Sequence, residues 1–345
     1  MELNDSNIND FWNNHTLNDF QQLAILKNVH SYTITSVCFL KDGRIASSSY
    51  IKDNYALIYN KRTFKIEIRI KEKKGICYMN VNKDGILITC LEGTFLNLYE
   101  IKGKNYKNIQ TIKPYNLIDD IIGIFDNSLS IQKFIELKNG NIAILVWGYA
   151  ISFYKKKKKS KKYSYLNKFK EKENENTTDL CELDNKQYCI TLEYARMIKF
   201  LDMNSKKVTN IIKLENFPIS DTKTQLLKMN KNDLFVAGDK KIMIIDIQKK
   251  EIIKQVELNI DGHLSSMYKL SNNFIISGYW NNGMEVLEYD ELKKEFKGFH
   301  KMEKKEYEGF PATSSIAIFN NKLIVAPYNN QSGNSSLIVY QLKNK

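Results

Sequence analysis

The sequence predicts an all-β fold, a seven-bladed β-propeller of four-stranded antiparallel blades closed into a ring by its N-terminal strand. Three observations predict it. One unit recurs about seven times along the 345 residues: an apolar β-rich run, a tight Asp-Gly-like turn, a second run, and a third run ending in a large residue followed by a polar one. Successive third-run ends lie 40 to 55 residues apart, around the roughly 40–45 residues of a four-stranded propeller blade. The last unit stops near Leu342 without a fourth strand, while a short apolar run, Leu23 to Lys27, precedes the first unit. A propeller whose N-terminal segment completes its C-terminal sheet explains both ends and protects the sheet edges. The units lack 3.6-residue patterning, which argues against a helical solenoid.

The elements follow in order. The tight turns are Lys41-Asp42-Gly43, Lys83-Asp84-Gly85, Lys138-Asn139-Gly140, Asp184-Asn185-Lys186, Asn230-Lys231-Asn232, Ser271-Asn272-Asn273 and Asn320-Asn321-Lys322. Asp-Gly and Asn-Gly favour the positive φ angles of hairpins. Apolar second strands follow, such as Leu87-Ile88-Thr89 and Phe274-Ile275-Ile276. The third runs end at Tyr59, Tyr99, Tyr154, Leu201, Ile245, Leu287 and Tyr340, and six of the seven next residues are acidic or amide. More polar fourth strands come next, for example Lys65 to Ile70, Val208 to Leu214 and Ile252 to Leu258. Segments 113–130 and 296–313 read as inter-blade insertions. The expected organisation is an extension over residues 1–21 and a propeller over residues 22–345. The extension carries Ile8, Phe11, Trp12 and His15, with Ser6 as a candidate helix cap.

The segment from Val29 to Asn60 resembles a WD-repeat. It has His30 before the first strand, Asp42-Gly43 in the turn, Ser47-Ser48-Ser49, Asp53, and Leu57-Ile58-Tyr59-Asn60 at its close. Val29-His30 stands for the family's Gly-His, and Tyr59-Asn60 for its Trp-Asp. The sixth unit keeps Gly262-His263, Ser277-Gly278 and Asn281, and the fifth has Gly238-Asp239 and Ile245-Asp246. The resemblance implies structural hydrogen bonding in which Asp53 orients His30 and Asn281 pairs with His263. It also implies a non-enzymatic platform that binds proteins or peptides through its loops.

Composition narrows the partners. Net charge is +13, but only four of the 52 basic residues are arginines, Arg44, Arg62, Arg69 and Arg196. Scarce arginine weakens any reading built on specific base or phosphate contacts. Five cysteines, Cys38, Cys77, Cys90, Cys181 and Cys189, sit in apolar stretches with no Cys-x-x-Cys pair. Buried thiols, the absence of a signal-like N-terminus and an apolar run of at most about 13 residues lead to the expectation of a cytoplasmic protein with no integral membrane segment. No metal-ligand spacing, Gly-x-Ser-x-Gly elbow or phosphate-cradling glycine loop occurs. No catalytic residue, metal or other cofactor is therefore assigned.

Two features point to binding. The run Lys155, Lys156, Lys157, Lys158, Lys159, Ser160, Lys161, Lys162 holds seven of the lysines and about half the net charge. It follows the third strand of the third blade, so it should form the hairpin tip to the fourth. By the WD resemblance such tips lie on the wider face. The run can hold anionic lipid or a nucleic-acid backbone, or be a solvated loop offset by the nearby acidic stretch 171–175. The second feature is aromatic. Tyr50, Trp147, Tyr149, Tyr194, Tyr279, Trp280 and Tyr328 lie at the ends of second strands. Rim aromatics suit protein hot spots, or else each caps a blade core or packs between blades. Tyr279 and Trp280 stand out for partner contact, since consecutive strand residues face opposite ways. The function expected is a scaffold within a larger complex, binding protein or peptide partners. The alternative is a peripheral adaptor making weak contact with anionic membrane or nucleic acid through Lys155 to Lys162.

Overall fold

The computed structural model describes residues 19–343, apart from 51–52, 93–94, 115–130, 147–149, 171–176, 185, 193–195, 215–223, 239, 259–263, 272, 280–282, 303–311, 320–321 and 329–334. The side chains of some further strand residues, Tyr328 and His300 among them, also lie outside the description. The expectations for the extension, for His263 and Asn281 and for the acidic stretch 171–175 fall outside the described residues.

The chain forms seven antiparallel four-stranded sheets. Blades 1 to 6 span residues 34–71, 76–112, 131–170, 177–213, 225–257 and 264–302, each with its strands in sequence order. Blade 7 takes three strands from residues 312–342 and its outermost strand from Phe20–His30. That strand pairs antiparallel with Ser335–Leu342, from Phe20 opposite Leu342 to His30 opposite Ser335. The ring is closed by joining the two ends of the chain. One expectation needs correction: of the expected insertion 296–313, residues 296–302 belong to the fourth strand of blade 6, Glu295–Met302, paired with Gly283–Asp290, and residues 312–313 begin the first strand of blade 7.

Burial explains the strand types. Second strands such as Ile45–Ser49, Leu87–Leu91, Ile142–Val146 and Phe274–Tyr279 are buried at every position. A blade is covered on both faces by its neighbours, so its middle strands carry continuous apolar runs rather than alternation. Outer strands face water on one side, and Lys207–Lys213 alternates exposed and half-buried. The core is accordingly divided. Each of seven buried clusters fills the wedge between two adjacent blades, for example Ile88, Leu98, Ile144 and Tyr154 between blades 2 and 3. The tight turns adopt the conformation expected of Asp-Gly and Asn-Gly, with Gly43, Gly85 and Gly140 at φ +82°, +79° and +78°.

Two devices curve the blades into a ring. In every blade the fourth strand bulges by one residue where it passes the third strand's large closing residue. Leu166, for instance, is skipped between Asn167, opposite Phe153, and Tyr165, opposite Tyr154. The same shift falls at Tyr59, Tyr99, Leu201, Ile245, Leu287 and Tyr340. A bulge increases local twist, which lets each sheet splay from inner to outer strand. Inner strands are stitched to their neighbours by side chains. The Ser315 hydroxyl accepts from Val37 N–H at 3.2 Å, Ser36 from Met79 at 3.0 Å, Asp179 from Leu226 at 2.9 Å and Gln225 from Met267 at 2.8 Å.

Candidate functional site

Two polar networks are internal to the fold. Where the outer strand of blade 7 leads into blade 1, His30 Nδ1 lies 3.0 Å from Asp53 Oδ2 and its Nε2 lies 2.7 Å from the Ser47 hydroxyl, which in turn lies 3.0 Å from the Tyr59 hydroxyl. A proton chain from Tyr59 through Ser47 and His30 to Asp53 satisfies every atom. Burial would raise the Asp53 carboxyl, but hydrogen bonding with His30 and the Ser31 N–H hold it below the usual carboxylate range. The WD resemblance had implied this His30–Asp53 pairing; Tyr59 occupies the tryptophan position and supplies its hydroxyl instead. Blade 2 builds the equivalent site without histidine. Glu72 accepts from the Thr89 hydroxyl at 2.6 Å and from Asn97 Nδ2 at 2.8 Å, and it also bonds the Tyr99 hydroxyl. Desolvation raises the Glu72 carboxyl against those bonds. Both networks are buried and tie strands together.

The rim aromatics are placed only in part. Tyr279 corrects the expectation made for it. It is 0% exposed, packs in the wedge between blades 5 and 6, and donates to Glu285 at 3.1 Å. Strand alternation sends a side chain to solvent only where one sheet face is open, and here both faces are covered. Tyr50 is half-buried with its hydroxyl on Glu92 at 3.2 Å, and burial followed by Glu92 pushes its phenol up to about 12. Trp147, Tyr149, Tyr194, Trp280 and the Tyr328 side chain lie outside the described residues.

The lysine run forms the hairpin between Ala150–Lys156 and Tyr163–Lys170. Lys157 N–H donates to the Lys162 carbonyl at 2.9 Å, Ser160 N–H to the Lys157 carbonyl at 3.2 Å, and Lys159 turns the chain at φ +56°. Blade 2 holds this hairpin in place. Asn82 Nδ2 donates to the Tyr163 hydroxyl at 3.0 Å. The Gln110 amide bonds both Tyr163 backbone groups at 2.7 Å, donating to its carbonyl and accepting from its N–H, as a neighbouring strand would. Lys156 pairs with Asp84, and Lys161 with Glu100 at 2.7 Å. Lys155, Lys157, Lys158, Lys159 and Lys162 are exposed. Among the described residues no carboxylate pairs with any of these five. Asn82, Asp84, Glu100 and Gln110 had no signal in the sequence, because each lies 50 or more residues from the group it meets.

Among the described residues no cluster of histidine, cysteine and carboxylates could hold a metal, and no helix is long and apolar enough to cross a membrane. No family model matches the chain, and no curated protein matches it in sequence. Solved structures do match. The WD40 β-propeller domain of Doa1 is 14% identical with a TM-score of 0.65, over 94% of this chain and 98% of that one. Raptor from Chaetomium thermophilum is 12% identical with a TM-score of 0.69, and the match covers 94% of this chain but 29% of that one. The fold is that of a WD40 β-propeller. At these identities the likeness extends to the fold alone. Among the described residues the arrangement offers a hairpin of exposed lysines held in place by the neighbouring blade.

Proposed function

We propose that this propeller is a non-enzymatic scaffold, a subunit of a larger complex that binds an acidic segment of a partner protein. One observation carries the reading: a hairpin anchored by four residues of the neighbouring blade displays five exposed lysines that pair with no carboxylate among the described residues. A loop whose backbone is held before binding loses less entropy on association, and a concentrated positive field steers acidic partners. A non-enzymatic role is supported by the enclosure of the two polar networks. A cytoplasmic location belongs to the same proposal, supported by five free thiols, of which burial pushes Cys38 up to about 12 and Cys181 up to about 11.

The test is fluorescence anisotropy with a labelled octaglutamate peptide at 50 mM salt. Binding should occur, and the Lys157→Ser/Lys158→Ser/Lys159→Ser variant should weaken it at least about tenfold, on the scale of about 1 kcal/mol per lysine seen at charged surfaces. An unchanged affinity in that variant would overturn the assignment.

A further inference from the structure

We infer that the basic surface is a two-hairpin cradle shared by blades 2 and 3, and that it grips an extended acidic segment carrying large apolar side chains. The inference rests on the scaffold reading above and names the partner's chemistry.

The geometry begins at Glu100. This carboxylate lies in the third strand of blade 2, Leu96–Lys102, and two lysines reach it. Lys161 reaches it from blade 3 at 2.7 Å and Lys102 from its own hairpin at 3.3 Å. Lys107 stands directly opposite it in the strand register. Glu100 is held below the usual carboxylate range, first by Lys161 and then by Lys102. One carboxylate thus draws the two hairpins together and is saturated by doing so. Lys102, Lys104 and Lys107 are all exposed. Among the described residues the ten lysines of the two hairpins pair only with Glu100 and Asp84, which leaves a surplus of eight positive charges there. The corresponding hairpin of blade 6 is balanced locally: Asp290 pairs with Lys293, and Lys294 is bound by Asp233.

The apolar half lies beside the charge. Tyr106, Tyr165 and Leu166 are 45%, 48% and 50% exposed on the outer strands of the same two blades. Tyr106 rests edge-on against Tyr99, and Tyr165 against Tyr154, so both rings are held in position. Leu166 is the bulge residue of its strand. Outer strands of blades 2 and 3 therefore present rings and an aliphatic side chain on the same hairpins as the lysines. A peptide that alternates carboxylates with leucine or phenylalanine matches both. Lys161 and Lys102 already engage a carboxylate in this surface, and the exposed aliphatic Leu166 gives a base no ring to stack on; both favour a peptide with carboxylates and apolar side chains over a nucleic-acid backbone.

The experiment measures anisotropy of four labelled probes with the full chain: a glutamate peptide containing leucine and phenylalanine, octaglutamate of equal charge, a 12-mer of oligouridine, and, by co-sedimentation, phosphatidylserine vesicles. The mixed peptide should bind at least about fivefold tighter than octaglutamate. Lys102→Ser/Lys104→Ser/Lys107→Ser should weaken both peptides about as much as the blade 3 triple variant does. Leu166→Ser should erase the preference for the mixed peptide and leave octaglutamate unchanged. The control Lys249→Ser/Lys293→Ser, on the hairpins of blades 5 and 6, should change nothing. Loss of binding with the blade 3 variant but not the blade 2 variant overturns the cradle while the scaffold reading stands. Loss with neither overturns both. Tighter binding of RNA or vesicles than of the mixed peptide, or no preference between the two peptides, also overturns the inference.

Discussion

Replacing Asp53 by alanine tests the account of what locks the closing end of the ring. Asp53 Oδ2 accepts from His30 Nδ1 at 3.0 Å and from Ser31 N–H at 2.8 Å. Its side chain is about a tenth exposed and that of His30 is enclosed. Alanine would leave two donors without their acceptor in a closed site, and each stranded donor costs about 1–3 kcal/mol. The expected loss is about 3 kcal/mol by urea titration, less where water enters the vacated space. A double-mutant cycle with His30→Ala should return a coupling of about 1 kcal/mol or more, because the two residues share one bond. The pH dependence has a definite sign. The folded carboxyl is held below its unfolded value of about 3.9, so its contribution is full above that value and is lost as pH falls through the lower folded value. The gap between wild type and Asp53→Ala should be constant from about pH 5 to 8 and narrow only in acid. A loss under about 0.5 kcal/mol at pH 7, or a gap that widens in acid, would refute the reasoning.

Three further outcomes follow from the same structure. Shortening the chain to begin after His30 removes the outer strand of blade 7 and uncovers the edge of Ser335–Leu342; light scattering should show aggregation, and a monomer with unchanged melting would contradict ring closure by that strand. Asp233→Ala strands the Tyr289 hydroxyl, 2.9 Å away, and Lys294 Nζ, 2.7 Å away; breaking a buried pair costs about 3–5 kcal/mol, which denaturant titration would detect. Lys206→Gly relieves an exposed residue held at φ +54°. The left-handed conformation costs about 1–2 kcal/mol outside glycine and glycine returns part of that as chain entropy, so stability should rise by up to about 1 kcal/mol.

Much of the fold was legible because local chemistry repeats. Gly43, Gly85 and Gly140 mark the first hairpin of their blades, and the residues from Tyr59 to Tyr340 that close the third strands fall at the seven bulges. Fourth strands were placed to within a residue or two: Val208 to Leu214 was expected and Lys207–Lys213 is found. The bulges themselves left no trace, since they answer to the twist of the whole sheet rather than to a residue type. Tyr279 was misread because alternation presumes one open face. Residues 296–302 were misread because a long fourth strand and an insertion look alike when both are polar.

The sequence by itself determined the number and order of the blades and the position of the lysine hairpin, since hairpin turns and strand periodicity are encoded by residues close together along the chain. Only the tertiary structure decided which lysines keep their charge uncompensated and which aromatic rings reach solvent. Those outcomes depend on neighbours such as Glu100 for Lys161 and Gln110 for Tyr163, which the ring brings alongside from the preceding blade.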